Sequence, residues 1–241
     1  MPHAADIAAP AAAADHGRVP ALDGLRGIAV ALVMLLHFTA MEANHLPAWK
    51  WLSLPVHLGW AGVDLFFVLS GFLITGVLLK SRGRDDYYKN FYARRALRIF
   101  PLYYAFLVVV LVIIPLSGGF EAQGNFWWVG EEQRTPWAFW VYLGNFVDGA
   151  RGQFQHFFLS VTWSLAIEEH FYLAWPLLLA RVRTTRVLVR LCGGVAAGSA
   201  LLRAVAVAGG LDPLAAYAWT PLRLDGLARG GLLAVAAREP A

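Results

Sequence analysis

The chain has little charge and almost no cysteine. Only 15% of its 241 residues are Asp, Glu, Lys or Arg, whereas about 25% is usual in soluble domains. Hydrophobic residues make up 59% of the chain, so a soluble fold would expose a large apolar surface to water. The single cysteine, Cys192, excludes an internal disulfide and any metal site built from several cysteines. The composition therefore indicates a polytopic membrane protein.

The sequence also lacks the motifs of several enzyme classes. It has no internal repeat, no glycine-rich phosphate loop and no zinc-ligand spacing, so we expect neither a bound metal nor a bound cofactor. The net charge of +4 does not indicate nucleic-acid binding, because Arg and Lys cluster beside apolar segments, where they set membrane topology. The expected surroundings are a lipid bilayer.

Long apolar segments predict an all-α fold, a polytopic transmembrane helix bundle of six to seven spans. The spans are predicted at 22–41, 57–79, 99–116, 160–180 and 188–208, with a further one beginning at 222–237. The apolar stretch 137–147 is too short to cross a bilayer comfortably, so we predict an interfacial or re-entrant segment. Residues 1–17 are expected to form a disordered N-terminal tail, and residues 18–241 an integral membrane domain.

Basic residues indicate which ends of the spans face the cytoplasm. Seven Lys and Arg lie from Lys80 to Arg98 against two Asp, and four Arg without any acid lie from Arg181 to Arg190. By the positive-inside rule, both segments are cytoplasmic. The first span then runs outward from a cytoplasmic N-terminus.

The first span carries polar residues on one face. Asp23 and Arg26 are three residues apart, and His37 follows Arg26 by eleven residues, which is close to three helical turns or about 16 Å. A histidine inside a membrane helix can hold or pass a proton near neutral pH, so His37 is a candidate general base. The structural alternative is an arginine that reaches the membrane surface and a histidine that bonds to a neighbouring helix.

Four segments in order resemble the membrane-bound acyltransferase 3 family, whose members transfer acyl groups to carbohydrate and related acceptors. They are LDGLRGIAVALVMLLH at 22–37, GVDLFFVLSGFLI at 62–74, FYARRALRIFPLYY at 91–104 and WSLAIEEHFYLAWPLLL at 163–179, with RLDGLARGGLLA at 223–234 as a weaker fifth. The family's usual domain has about ten spans. The resemblance therefore implies the N-terminal part of such a domain, incomplete at its C-terminus, or a short variant of it.

The resemblance implies an O-acyltransferase of the bacterial inner membrane. Its donor would be acyl-CoA, with acetyl-CoA expected, and its acceptor a hydroxyl of a carbohydrate or a lipid-linked glycan. His37 would remove the proton from the attacking hydroxyl. Glu168 would orient His37 or bind acceptor hydroxyls, and is preferred over Glu169, which is expected to project elsewhere around the helix.

The other candidate residues would bind substrate. Arg95 and Arg98 would hold the phosphates of coenzyme A, because guanidinium groups suit phosphate oxygens. Arg26 would engage the donor with its rotamer fixed by Asp23. Asp64 would have an orienting role, as a partner of His37 or Arg26, and Trp163 could stack on a sugar ring.

Two other hypotheses stay open from the sequence alone. Ionisable residues inside the membrane are equally expected in a transporter, in which His37, Glu168 and Arg203 would form a proton or solute path. Many transporter folds contain repeats, and none is visible here. An inactive fragment of an acyltransferase is the third hypothesis.

Overall fold

A computed structural model of the chain shows a bundle of α-helices. It describes residues 20–42, 59–117 and 135–238, and no β-strand occurs within these ranges. The tail predicted at 1–17 lies outside them. The helices are α1 (Pro20–Glu42), α2 (Gly59–Lys80), α3 (Tyr87–Val108), α4 (Trp137–Trp140), α5 (Gly144–Arg151), α6 (Trp163–Arg181), α7 (Thr185–Ala208), α8 (Pro213–Ala218) and α9 (Leu224–Ala236). The all-α class is confirmed for the described residues.

Three of the described helices are long and apolar enough to cross a membrane. They are α2, α7, and α3 together with its continuation through a π-helical turn (Val109–Ile113) to Leu116. The count of six to seven spans stays a prediction. Segment 137–147 is divided between the short helices α4 and α5, and neither is long enough to cross a bilayer.

Helix α3 begins at Tyr87, earlier than the apolar stretch that predicted it from residue 99. Arg94, Arg95 and Arg98 therefore lie on a helix, and the connection from α2 is only residues 81–86. Tyr87 and Phe91, one turn apart, are buried against the core while Arg94 is exposed. The first turns of α3 are amphipathic, and a hydropathy average over charged residues does not detect such a helix.

Helices α2 and α9 approach closely because glycines lie at their crossing. A Cβ atom at Gly71 would lie 1.9 Å from the carbonyl oxygen of Leu227, and a Cβ atom at Gly230 would lie 2.1 Å from that of Val68. Neither position accepts a side chain unless the two backbones separate, which is the typical use of small residues between membrane helices.

Helix α6 lies in the core of the bundle. Its residues Ile167, Phe171, Trp175 and Leu179 recur every fourth position and are each at most 3% exposed. Nε1 of Trp175 donates a hydrogen bond to Oγ1 of Thr75 on α2 at 2.9 Å. Helix α6 therefore carries its polar residues into the interior of the bundle.

The contacts also fix the directions of α1 and α3. The hydroxyl of Tyr92 donates to the carbonyl oxygen of Leu173 at 2.9 Å, and Arg95 lies over Tyr172, so α3 runs antiparallel to α6. Helix α1 runs antiparallel to α2. Leu32 lies against Gly62 near the start of α2, whereas Arg26, earlier on α1, interacts with Glu168, which contacts Ser70 farther along α2.

Candidate active site

Glu168 lies near the middle of the bundle and is only 4% exposed. Its Oε2 accepts a hydrogen bond from the hydroxyl of Tyr172 at 2.9 Å. Its carboxylate also contacts the side chain of Ser70 on α2, and interacts electrostatically with Arg95 on α3 and Arg26 on α1. These five residues, from four helices, are called the Glu168 cluster below.

Arginine makes a buried carboxylate tolerable at this position. An isolated ionised carboxylate inside a protein is strongly unfavourable unless opposite charge lies nearby. Arg95 is half-buried, and its Cζ lies 4.8 Å from the ring centroid of Tyr172 and 6.0 Å from that of Phe91. These two rings hold the guanidinium inside the bundle through cation–π contacts.

Three buried polar atoms in and beside the cluster have no hydrogen-bond partner among the described residues. They are Nε of Arg26, Oε1 of Glu168 and Oε1 of Glu169. Buried polar atoms are nearly always paired in folded proteins. Unpaired atoms of both charge signs therefore mark a place where water, a ligand or a further side chain supplies the missing partners.

Glu169 follows Glu168 on α6 and has partly different neighbours. Its carboxylate interacts with Arg95 and with the phenols of Tyr103 and Tyr142. Tyr142 has a φ of 59°, which is uncommon for a residue other than glycine. Its ring stacks on Tyr103 with centroids 4.3 Å apart. No sequence pattern indicated this neighbourhood, because a turn between two short helices creates it.

His170 supports the same turn. Its Nδ1 lies 2.7 Å from Oγ1 of Thr220, and its ring also hydrogen-bonds to the backbone of Tyr142. Oγ1 of Thr220 also accepts a hydrogen bond from Nδ2 of Asn145 at 3.1 Å. His170 therefore links α6 to the α4–α5 turn, and its ring is engaged in structural contacts.

The structure separates Arg95 from Arg98. Arg95 points into the Glu168 cluster, whereas Arg98 is exposed at the edge of a mainly apolar cavity of about 470 Å³. The cavity lies between α3 and the start of α6, with Leu102, Phe106 and Leu165 among its walls. The two guanidinium groups therefore have different surroundings, one inside the bundle and one at its surface.

Asp64 and Trp163 have partners outside the Glu168 cluster. The carboxylate of Asp64 pairs with the guanidinium of Arg223, not with Arg26. Trp163 is 6% exposed and packs between Phe67 and Tyr217, so its ring faces are covered by protein.

The remaining candidates lie on α1. Asp23 is exposed in the first turn of this helix, and His37 lies on its C-terminal half. The side chain of His37 is outside the described part. In the described part of the chain, no three His, Cys, Asp or Glu side chains are grouped as a metal site.

Comparison with known proteins identifies the family. The profile of the acyltransferase 3 family, an acyltransferase domain, matches residues 19–221. The chain belongs to this family. Within this acyltransferase 3 domain, the four motif-bearing segments each contribute to the Glu168 cluster: Arg26 from the first, Ser70 from the second, Arg95 from the third, and Glu168 with Tyr172 from the fourth.

The acyltransferase 3 domain is similar to several curated bacterial proteins. It is 32% identical over 230 residues to the peptidoglycan O-acetyltransferase OatA of Listeria monocytogenes, covering 90% of this chain and 33% of that protein. It is 32% identical over 241 residues to the putative peptidoglycan O-acetyltransferase YrhL of Bacillus subtilis, covering 91% and 33%. A putative O-acetyltransferase of Staphylococcus aureus is 33% identical over 174 residues, covering 69% and 26%.

The chain thus spans about a third of the length of the first two of these relatives. No solved structure matches it.

Proposed function

We propose that the chain acts in an O-acetyltransferase of the bacterial inner membrane, with its N-terminus in the cytoplasm. The donor is acetyl-CoA, and the acceptor is a hydroxyl of a cell-surface glycan, with peptidoglycan suggested by the names of its relatives. The observation that carries the proposal is the convergence of four family-like segments on the buried Glu168 cluster. Family membership favours this function over the transporter hypothesis.

The arginines bind different parts of the donor. Arg98 is exposed and suits the phosphates of coenzyme A, which stay hydrated when bound. Arg26 and Arg95 are half-buried and interact electrostatically with Glu168. In our proposal they face the thioester carbonyl, where a buried positive charge stabilises the oxygen that becomes negative during acyl transfer.

His37 acts as the general base in this proposal. It takes the proton from the acceptor hydroxyl as the hydroxyl oxygen attacks the thioester carbon. The C–S bond then breaks, coenzyme A leaves as a thiolate that takes up the proton, and an O-acetyl ester is formed. Glu168 orients the acceptor or the imidazolium through its unpaired Oε1.

Acetyl transfer in proteoliposomes tests this function. The full chain is supplied with radiolabelled acetyl-CoA and a peptidoglycan glycan acceptor, beside Glu168→Gln and His37→Ala. The matched control is Asp85→Asn, an exposed carboxylate in the loop after α2. Loss of a general base typically lowers the rate about 10²- to 10⁴-fold, so we expect a loss in that range for His37→Ala. We expect a smaller loss for Glu168→Gln, which removes an orienting group, and none for the control. Unchanged transfer by His37→Ala and Glu168→Gln would contradict the proposed roles.

A further inference from the structure

A single arginine is enclosed by aromatic rings where α2 begins. Cζ of Arg223 lies 5.1 Å from the ring centroid of Tyr217 and 5.8 Å from that of Phe67. Its guanidinium pairs with the carboxylate of Asp64. The side chain of Arg223 is 11% exposed, whereas that of Asp64 is 61% exposed. The arginine is therefore enclosed, and it holds a carboxylate that faces outward.

Trp60 lies next to this carboxylate. It precedes Asp64 by four residues on α2, so both side chains lie on the same face of the helix. The ring of Trp60 packs edge-to-face on Tyr217, with centroids 4.5 Å apart and an interplanar angle of 83°. Trp163 supports Tyr217 from within at 4.3 Å. Trp60 nevertheless keeps 46% of its surface exposed.

We propose that Trp60 and Asp64 form a sugar-binding subsite for the glycan acceptor, an inference that rests on the proposed function. A pyranose ring has an apolar C–H face that packs on an exposed indole, and its hydroxyls donate hydrogen bonds to a carboxylate. Arg223 and Tyr217 fix the two recognition groups before the ligand arrives, which reduces the entropy cost of binding. In this proposal the sugar ring stacks on Trp60 and not on Trp163, whose ring is buried.

The position of the subsite agrees with the predicted topology. If residues 80–98 face the cytoplasm, the N-terminal end of α2, with Trp60, faces outward. Helix α1 runs antiparallel to α2, so its C-terminal half, with His37, leads toward the same end. The acceptor would therefore be held on the side of the membrane where cell-surface glycans are found.

An exposed tryptophan near a membrane surface has another common use, as an anchor at the lipid interface. A tryptophan that only anchors the helix in the lipid interface would not bind sugar, and it would not need a carboxylate beside it. Measurement of sugar binding therefore separates the two roles.

Calorimetric titration of the full chain in lipid nanodiscs with an N-acetylglucosamine pentamer tests the subsite. The variants are Trp60→Ala and Asp64→Asn, and the control is Trp137→Ala, which removes another tryptophan, 58% exposed, on α4. We expect each subsite variant to weaken binding about fivefold or more, with the control unchanged. Wild-type affinity in Trp60→Ala, or no binding by the wild type, would overturn the subsite.

Acetyl transfer measured on the same nanodiscs separates this inference from the proposed function. Sugar binding that depends on Trp60, without any transfer, would support the subsite while contradicting the transferase. Acetyl transfer together with sugar binding that is unchanged in Trp60→Ala would contradict the subsite and leave the transferase supported. Thermal unfolding of Asp64→Asn checks that loss of the ion pair with Arg223 has not unfolded the bundle.

Discussion

The hydroxyl of Tyr172 donates a hydrogen bond to Oε2 of Glu168 at 2.9 Å, one turn away on α6. The ring of the same tyrosine covers the guanidinium of Arg95 from α3, with Cζ 4.8 Å from the ring centroid. Tyr172 therefore holds both a buried negative charge and a positive charge from another helix. It links the carboxylate of Glu168 to the guanidinium of Arg95.

Removal of this hydroxyl should weaken the cluster. In Tyr172→Phe, the ring over Arg95 is kept, but Oε2 of Glu168 loses its donor. A buried acceptor left unpaired costs about 1–3 kcal/mol, and we expect a loss of that size in the free energy of unfolding. Unfolding in detergent measures it. Tyr88→Phe, at an exposed position of the same residue type, is the control, and equal stability of the two variants would show that the hydrogen bond is unimportant.

The glycine contact between α2 and α9 should not tolerate a methyl group. A Cβ at Gly71 meets backbone atoms of Leu227 at 1.9–2.9 Å, whereas nothing lies within 4 Å of a Cβ at Gly76 on the same helix. Overpacking typically costs about 1–3 kcal/mol, and Gly71→Ala should reach the upper end because backbone must move. Gly76→Ala should raise stability, by up to about 1 kcal/mol. Thermal unfolding of both variants decides this, and equal midpoints would refute the close packing.

The ion pair between α7 and α9 should contribute to stability. Arg203 binds both carboxylate oxygens of Asp225, at 3.1 and 3.2 Å, and Arg229 contributes a third contact at 3.0 Å. Arg203 is thus bound to a carboxylate of the neighbouring helix.

Asp225→Asn leaves these arginines without a charged partner. The side chain of Asp225 is only 8% exposed, and we expect a loss of about 2 kcal/mol in the free energy of unfolding. The comparison is Asp86→Asn, which breaks the exposed pair with Arg84 and should have no measurable effect. Denaturant titration measures the stability of both variants, and equal losses would contradict the predicted contribution of the Asp225 ion pair.

Asp148 should make stability depend on pH. It lies on α5, outside the candidate spans, and burial raises its pKa from 3.8 to about 6 even though Gln155 donates two hydrogen bonds to Oδ1. The native carboxyl group binds its proton more tightly than the unfolded one. The stability that this proton contributes to the folded state is therefore fully present below pH 3.8 and is lost as the pH rises through about 6.

Asp148→Asn cannot titrate at this position. Its stability relative to the wild type should therefore increase between about pH 4 and pH 6 and then level off. Unfolding midpoints across this range test the sign. Asp85→Asn, at an exposed position, should follow the wild-type curve, and a constant difference between Asp148→Asn and the wild type would rule out this titration.

Hydrophobic patterning predicted most of the helices, because an apolar run of sufficient length has few alternatives in lipid. Helix α1 covers the predicted span 22–41, and α7 covers 188–208. The patterning failed at α3, where buried Tyr87 and Phe91 extend the helix through a basic stretch that has low mean hydropathy. It also gave no account of the turn at Tyr142, since a left-handed residue between two short helices leaves no periodic signal.

The sequence by itself determined the apolar segments, the family-like motifs and the types of ionisable residue that they carry. Only the tertiary structure decided which of these residues meet. Arg26, Arg95 and Glu168 converge because antiparallel helices bring positions more than 60 residues apart in the chain to the same level. Asp64 pairs with Arg223 instead. Local sequence fixes the period of a helix, but the partners of a side chain depend on helix packing, which glycines such as Gly71 and Gly230 set through long-range contact.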